Sequence, residues 1–86
     1  MPEISRFFGI VIAIYYKDHH PPHFHAKYGD ETAVLSIDDL KVIEGGLSRR
    51  ALLLVLEWAF EYRDELAEDW ALAVAGKPLR KIAPLA

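Results

Sequence analysis

The sequence predicts an α+β domain: a three- to four-stranded antiparallel meander followed by one long C-terminal helix packed on one sheet face. Three observations predict it. Residues 7–16 (FFGIVIAIYY) are dense in Ile, Val and aromatic side chains, the composition of a buried, pleated strand. Beyond Pro21-Pro22 the chain alternates apolar and polar residues on both sides of Gly29-Asp30, the pattern of a hairpin. From Arg49 to Ala75 there is neither proline nor glycine, and Ser48 and Gly76 stand at the ends as start and stop signals.

Taken in order, Phe7–Tyr16 is the first expected strand. Phe8, Ile10, Ile12, Ile14 and Tyr16 share one face, and Phe7, Gly9, Val11, Ala13 and Tyr15 the other. A strand apolar on both faces belongs in the middle of a sheet. Lys17–Pro22 is a connection, because prolines cannot donate to a sheet ladder. His23–Tyr28 is the next strand, with Phe24, Ala26 and Tyr28 on one side and His23, His25 and Lys27 on the other. Glu31–Ile37 returns with Ala33, Leu35 and Ile37 on its apolar face. Asp38-Asp39 turns the chain, and Lys41–Glu44 is a short edge strand ended by Gly45-Gly46.

Ser48 suits the N-cap of the helix, although Ala51 stands where a capping box would place Glu. The helix is expected over Arg49–Ala75 and to cover the sheet face bearing Phe24, Ala26, Leu35 and Ile37. Leu52, Val55, Ala59, Tyr62, Leu66 and Ala73 form one apolar stripe; Leu53, Leu56, Phe60, Ala67, Trp70 and Val74 form a second beside it. Glu57, Glu61, Asp64, Glu65 and Glu68 lie opposite, interrupted by Leu54 and Leu72, which are either scattered surface leucines or partner contacts. In the tail, Leu79, Ile82 and Leu85 recur every third residue, so the tail is expected to pack back as an extended segment or one short turn.

Eighty-six residues make a single domain, 1–86, since two cores would not fit. With no cysteine there is no disulfide and no thiolate metal site, so stability rests on the core or on self-association. Thirteen Asp/Glu against ten Lys/Arg give a net charge of −3, which argues against nucleic-acid binding through a broad basic surface. The apolar runs are too short to cross a bilayer, and the start Met-Pro-Glu-Ile-Ser has no signal-peptide pattern. A cytoplasmic protein without membrane contact is the expectation.

All four histidines fall in 17-KDHHPPHFHAKYGDE-31. His23 and His25 are two apart on an expected strand, so their imidazoles point to one face and can converge on one ion. His19 or His20 returning across the turn, with Asp18 or Glu31, would complete a metal site, and imidazole-rich sites suit zinc or nickel. The same residues suit acid–base chemistry, because histidine titrates near neutrality. Lys27, Lys17, Tyr15 and Tyr28 are then candidates to bind a phosphate, the minimum for metal-free RNA cleavage by a neighbouring 2′-hydroxyl. A third reading leaves the histidines as the solvated face of an amphipathic hairpin. The two prolines fix φ and stiffen the approach to His23, which lowers the entropy lost when the imidazoles engage a ligand.

The start Met1-Pro2-x-Ile4, the strand Phe8-Gly9-Ile10 and the block Asp18-His19-x-Pro21-Pro22-His23-Phe24-His25-Ala26-x-Tyr28 resemble those of a family of small, mainly bacterial proteins described as domain of unknown function 4160. Gly45, Trp58 and the ending Trp70 … Gly76-x-Pro78-Leu79-x-Lys81-Ile82-x-Pro84-Leu85 extend the resemblance along almost the whole chain. In that pattern the histidines are His19, His23 and His25, and His20 stands at a variable position. The resemblance implies one half of a toxin–antitoxin-like pair. The leading expectation is therefore a toxin-type component, a histidine-dependent ribonuclease with catalytic His19, His23 and His25 and substrate-binding Lys27 and Tyr15. The alternatives are a non-enzymatic protein-binding or regulatory module, or a small metal-binding protein using His19, His23 and His25. The expected partners are a second copy, as a homodimer, or another small protein, with RNA as the candidate substrate.

Overall fold

Phe8 and Gly9 divide the expected first strand in two. In a computed structural model, which describes residues 2–16 and 18–86, both residues have positive φ, 49° and 80°. Positive φ at both central positions makes a tight hairpin turn, and glycine takes it readily. Phenylalanine does not, which is why this turn carries no ordinary signal and reads as strand. The hairpin joins β1 (Glu3–Phe7) to β2 (Ile10–Ala13). Glu3 pairs with Ala13 but Ser5 with Ile12, so the ladder slips by one residue at Ile4. That irregularity resets the alternation and lets Ile4 and Phe7, three residues apart, both reach the core.

The sheet therefore has five strands, not three or four. It continues through β3 (His23–Tyr28), β4 (Glu31–Ser36) and β5 (Val42–Gly45), all antiparallel in sequence order. The hairpin at Gly29-Asp30 stands where expected, with Gly29 at positive φ. Gly45 closes β5 against β4, and a Cβ there would strike the Thr32 carbonyl.

Helical structure begins at Arg49, as expected, but a break at Tyr62 divides it into α1 (Arg49–Glu61) and α2 (Arg63–Val74). Tyr62 has ψ near 28°, yet its N–H still bonds the Trp58 carbonyl, and Leu66 N–H bonds the Tyr62 carbonyl. Neither proline nor glycine causes the break. Just beyond it, the Arg63 guanidinium donates to the carbonyls of Asp38 (2.6 Å) and Ile37, anchoring the start of α2 to the β4–β5 turn. The missing capping-box Glu is supplied from β4: Glu31 accepts the Ser48 N–H at 2.8 Å.

The helices cover the face bearing Phe24, Ala26, Leu35 and Ile37, all buried with Ile10, Ile12 and Ile14. The buried helical stripe is Ala51, Val55, Trp58, Ala59, Leu66, Asp69, Trp70 and Ala73. Trp58 and Asp69, outside both expected stripes, lie at its centre. Of the second expected stripe, Leu53, Phe60 and Val74 stay exposed. Leu54 is partly buried against the core.

The tail packs back in extended form. Ile82 N–H bonds the Ile4 carbonyl, Trp58 Nε1–H donates to Ala83 (2.8 Å), and Arg80 N–H donates to Asp69. The tail thus covers the outer edge of β1, while β5 is short and slips register against β4; both devices discourage edge pairing. No helix among the described residues is long and apolar enough to cross a membrane.

Candidate metal centre

Strand alternation sends Phe24 into the core and turns His23 and His25 to the opposite face, beside the β2–β3 connection. That connection brings Asp18 back over them. His23 Nε2 lies 2.9 Å from Asp18 Oδ2, and His25 Nε2 lies 3.7 Å from the same oxygen. Among the described residues, Asp18, His23 and His25 form a group whose ligand-type atoms all lie within 4.8 Å of one another.

The hydrogen bonding fixes the tautomer of His23. Its Nδ1 lies 2.7 Å from the Pro21 carbonyl, which can only accept, so Nδ1 carries a proton. In a neutral ring Nε2 is then a bare lone pair, and it faces a carboxylate oxygen at 2.9 Å. Two lone pairs at that distance repel, so the pair requires a positive charge between them: a second proton or a metal cation. A backbone carbonyl on the far nitrogen is also how proteins orient a ligating imidazole.

His25 offers a second donor atom. Its Nε2 is buried without a hydrogen-bond partner, the 3.7 Å contact to Asp18 being too long. Burial and the neighbouring His23 hold His25 below the usual imidazole range, against the pull of Asp18 and Glu44, so its lone pair is available at neutral pH. Burial pushes the Asp18 carboxyl up, but the His19 N–H and the His23 ring more than offset this, leaving it below the usual carboxylate range. Asp18 is thus anionic, and a metal cation can take the place of the proton between it and His23 Nε2. A tetrahedral ion with bonds of about 2.0–2.1 Å sets its ligand atoms roughly 3.3 Å apart. The two distances to Asp18, 2.9 and 3.7 Å, lie on either side, and all three ligand atoms lie within 4.8 Å of one another, so an ion would draw them together by side-chain movement.

The cluster opens on a groove of about 210 Å³ lined by Asp18, His19, His20, Pro21, His23, His25, Val34, Ile43 and Glu44. That is smaller than most pockets for drug-sized ligands and suits an ion with a small group. Glu44 arrives by register: it pairs with Val34, which pairs with His25. Trp70 of α2 packs against two of the imidazoles, its ring centroid 5.1 Å from that of His23 and 5.8 Å from that of His20. Neither Glu44 nor Trp70 has a local sequence signal linking it to the histidines.

His19 does not return as an inward ligand. Its side chain is 92% exposed, with Nδ1 3.1 Å from Asp18 Oδ1, and Asp18 takes the third position in the cluster. Glu31 is committed to Ser48. Tyr15 packs edge-on to His25 at 4.4 Å, and with Lys27 it lines a second, smaller hollow that shares His25 with the Asp18 groove but not Asp18 or His23. Lys17 lies outside the described residues.

Residues 9–71 match the family described as Domain of unknown function (DUF4160). No curated protein and no solved structure matches the chain.

Proposed function

The chain belongs to the DUF4160 family, and from that premise we propose that it works through a divalent transition-metal centre held by Asp18 Oδ2, His23 Nε2 and His25 Nε2. One observation carries this reading: two imidazole Nε2 atoms, one of them buried and unpartnered, face an ionised carboxylate beside a groove. Two neutral nitrogens and one carboxylate suit zinc or nickel. Three protein ligands leave room for a further ligand from the groove, and an ion so held supplies Lewis acidity to a bound water or anionic oxygen. Glu44 stands on the groove wall as a carboxylate able to accept a proton there. The function supported best is a small metal-dependent module, with hydrolysis of a phosphodiester such as RNA as the candidate reaction.

The test is direct titration of the chelated protein with Zn²⁺ and Ni²⁺ by calorimetry, beside His23→Ala, His25→Ala and Asp18→Asn. One equivalent should bind the wild type, and each variant should lose that binding while keeping its fold. A wild type that binds neither metal, or three variants that bind as well as it does, ends this reading.

A second reading keeps the histidines as metal-free acid–base groups of a toxin-type ribonuclease, and the 2.9 Å Asp18–His23 pair favours it. The lining of the groove weighs against it, since without a cation to offset them Asp18 and Glu44 repel a phosphate, and Lys27 faces the other hollow. Growth arrest on expression that depends on His23 and survives metal chelation in an RNA-cleavage assay would favour this second reading. On either reading a second copy or another small protein is a proposed partner.

A further inference from the structure

Helix α1 carries its charges in the wrong order for an isolated helix. A helix N-terminus is partly positive and its C-terminus partly negative, so acidic residues suit the first turn and basic residues the last. Here the first turn holds Arg49 and Arg50 and no acidic residue; the last turns hold Glu57 and Glu61 and no basic residue. None of the four takes part in an ion pair among the described residues. The arrangement destabilises a lone α1.

The same helix exposes apolar surface between those charges. Phe60 is 74% and Leu53 57% exposed, and both come from the apolar stripe that the core leaves uncovered. A groove beside them is lined by Arg49, Arg50, Leu53, Leu54 and Glu57.

We infer that this surface is covered by a second copy of the chain, docked so that the two α1 helices run antiparallel about a two-fold axis near Leu56-Glu57. Leu53 then faces Phe60 of the second copy, and Phe60 enters the groove between Arg49, Leu53 and Glu57 as a knob enters a hole. Arg49 and Arg50 lie against the acidic end of the facing helix, within about one turn of its Glu61 and Asp64. The charge order that is unfavourable within one helix becomes complementary between two, because antiparallel docking puts the basic N-terminus of each beside the acidic, partly negative C-terminal half of the other. The sheet edges are less suited to this role, since the tail bonds along one and the other is short and irregular. The contact is independent of the proposed metal centre, which lies on the opposite face of the sheet.

The test is molecular mass by light scattering and sedimentation, from dilute to high micromolar protein, on the full chain. The wild type should dimerise, less tightly at high salt. R49E/R50E and E61R/D64R should each weaken the dimer by about tenfold or more, and an equimolar mixture of the two should recover a heterodimer. Phe60→Ser should remove the dimer. R49E/R50E should melt no lower than the wild type when dilute, because its new charges suit the helix dipole; this separates a lost contact from a lost fold. A wild type that is monomeric at every concentration overturns the proposal, whatever other protein the face binds. So does a dimer untouched by these substitutions, or a mixture that fails to pair.

Discussion

The outer face of the sheet and the layer beneath the helices each hold one carboxylate largely away from bulk water, Asp18 in the first and Asp69 in the second. Asp18 is surrounded by donors, the His19 N–H and the His23 ring, and is held below the usual carboxylate range against the cost of burial. Asp69 is 1% exposed; burial raises its carboxyl, with Glu68 adding to the rise and the Arg80 N–H and charge opposing it. One oxygen of Asp69 holds the tail through Arg80 N–H, and the other has no partner. A displaced titration therefore does not by itself identify a site. What separates the two is geometry: the donor atoms around Asp18 converge on an accessible groove, whereas those around Asp69 close a chain segment onto a helix.

The largest expected effect lies on the structural side. Trp58 is fully buried, packs at an angle against Phe7 and edge-on to Phe24, and donates to the Ala83 carbonyl. Trp58→Ala should cost about 3–5 kcal/mol in denaturant unfolding. The fraction still folded should bind metal as before, and a lost metal site in well-folded Trp58→Ala would show that the two regions are coupled.

On the site side, Asp18→Asn should weaken Zn²⁺ or Ni²⁺ binding by about a hundredfold or more, as removal of a ligand costs at least what removal of a supporting group does. Asp69→Asn should leave that affinity unchanged. Saturating metal at about a hundred times its Kd should stabilise the wild type by about 2.7 kcal/mol and Asp18→Asn by far less. Equal thermal shifts in both proteins would remove the contrast.

Asp69 has a folded pKa above its unfolded value, so its contribution to stability is fully present below the unfolded value and is lost as pH rises through the folded one. Asp69→Asn keeps an acceptor for Arg80 N–H without the charge. It should therefore melt at least as high as the wild type at neutral pH, with the difference shrinking in acid. A variant that melts lower at neutral pH would mean that the buried charge is stabilising. The smallest effect belongs to the cap: Glu31→Ala, which frees the Ser48 N–H, should cost about 0.5–2 kcal/mol with no change in metal binding.

Much of this was legible in local pattern. Alternation placed β3 and β4 with their hairpin, and put Phe24 in the core and His23 and His25 together on the other face. Ser48 and Gly76 bracket the helical region, and the spacing of Leu79, Ile82 and Leu85 marked a tail that packs back. These features depend on neighbours within a few residues, where backbone period and turn chemistry act directly. Only the tertiary structure decided the rest. The Phe8-Gly9 turn places a bulky side chain at positive φ because the flanking strands close around it, and nothing in the order of residues announces the break at Tyr62. The choice of Asp18 over His19 as the inward group, the arrival of Glu44 and Trp70 around it, and the capping of Ser48 by Glu31 all join residues from separate elements. Such contacts depend on strand register and on how the layers close, and no local period encodes either.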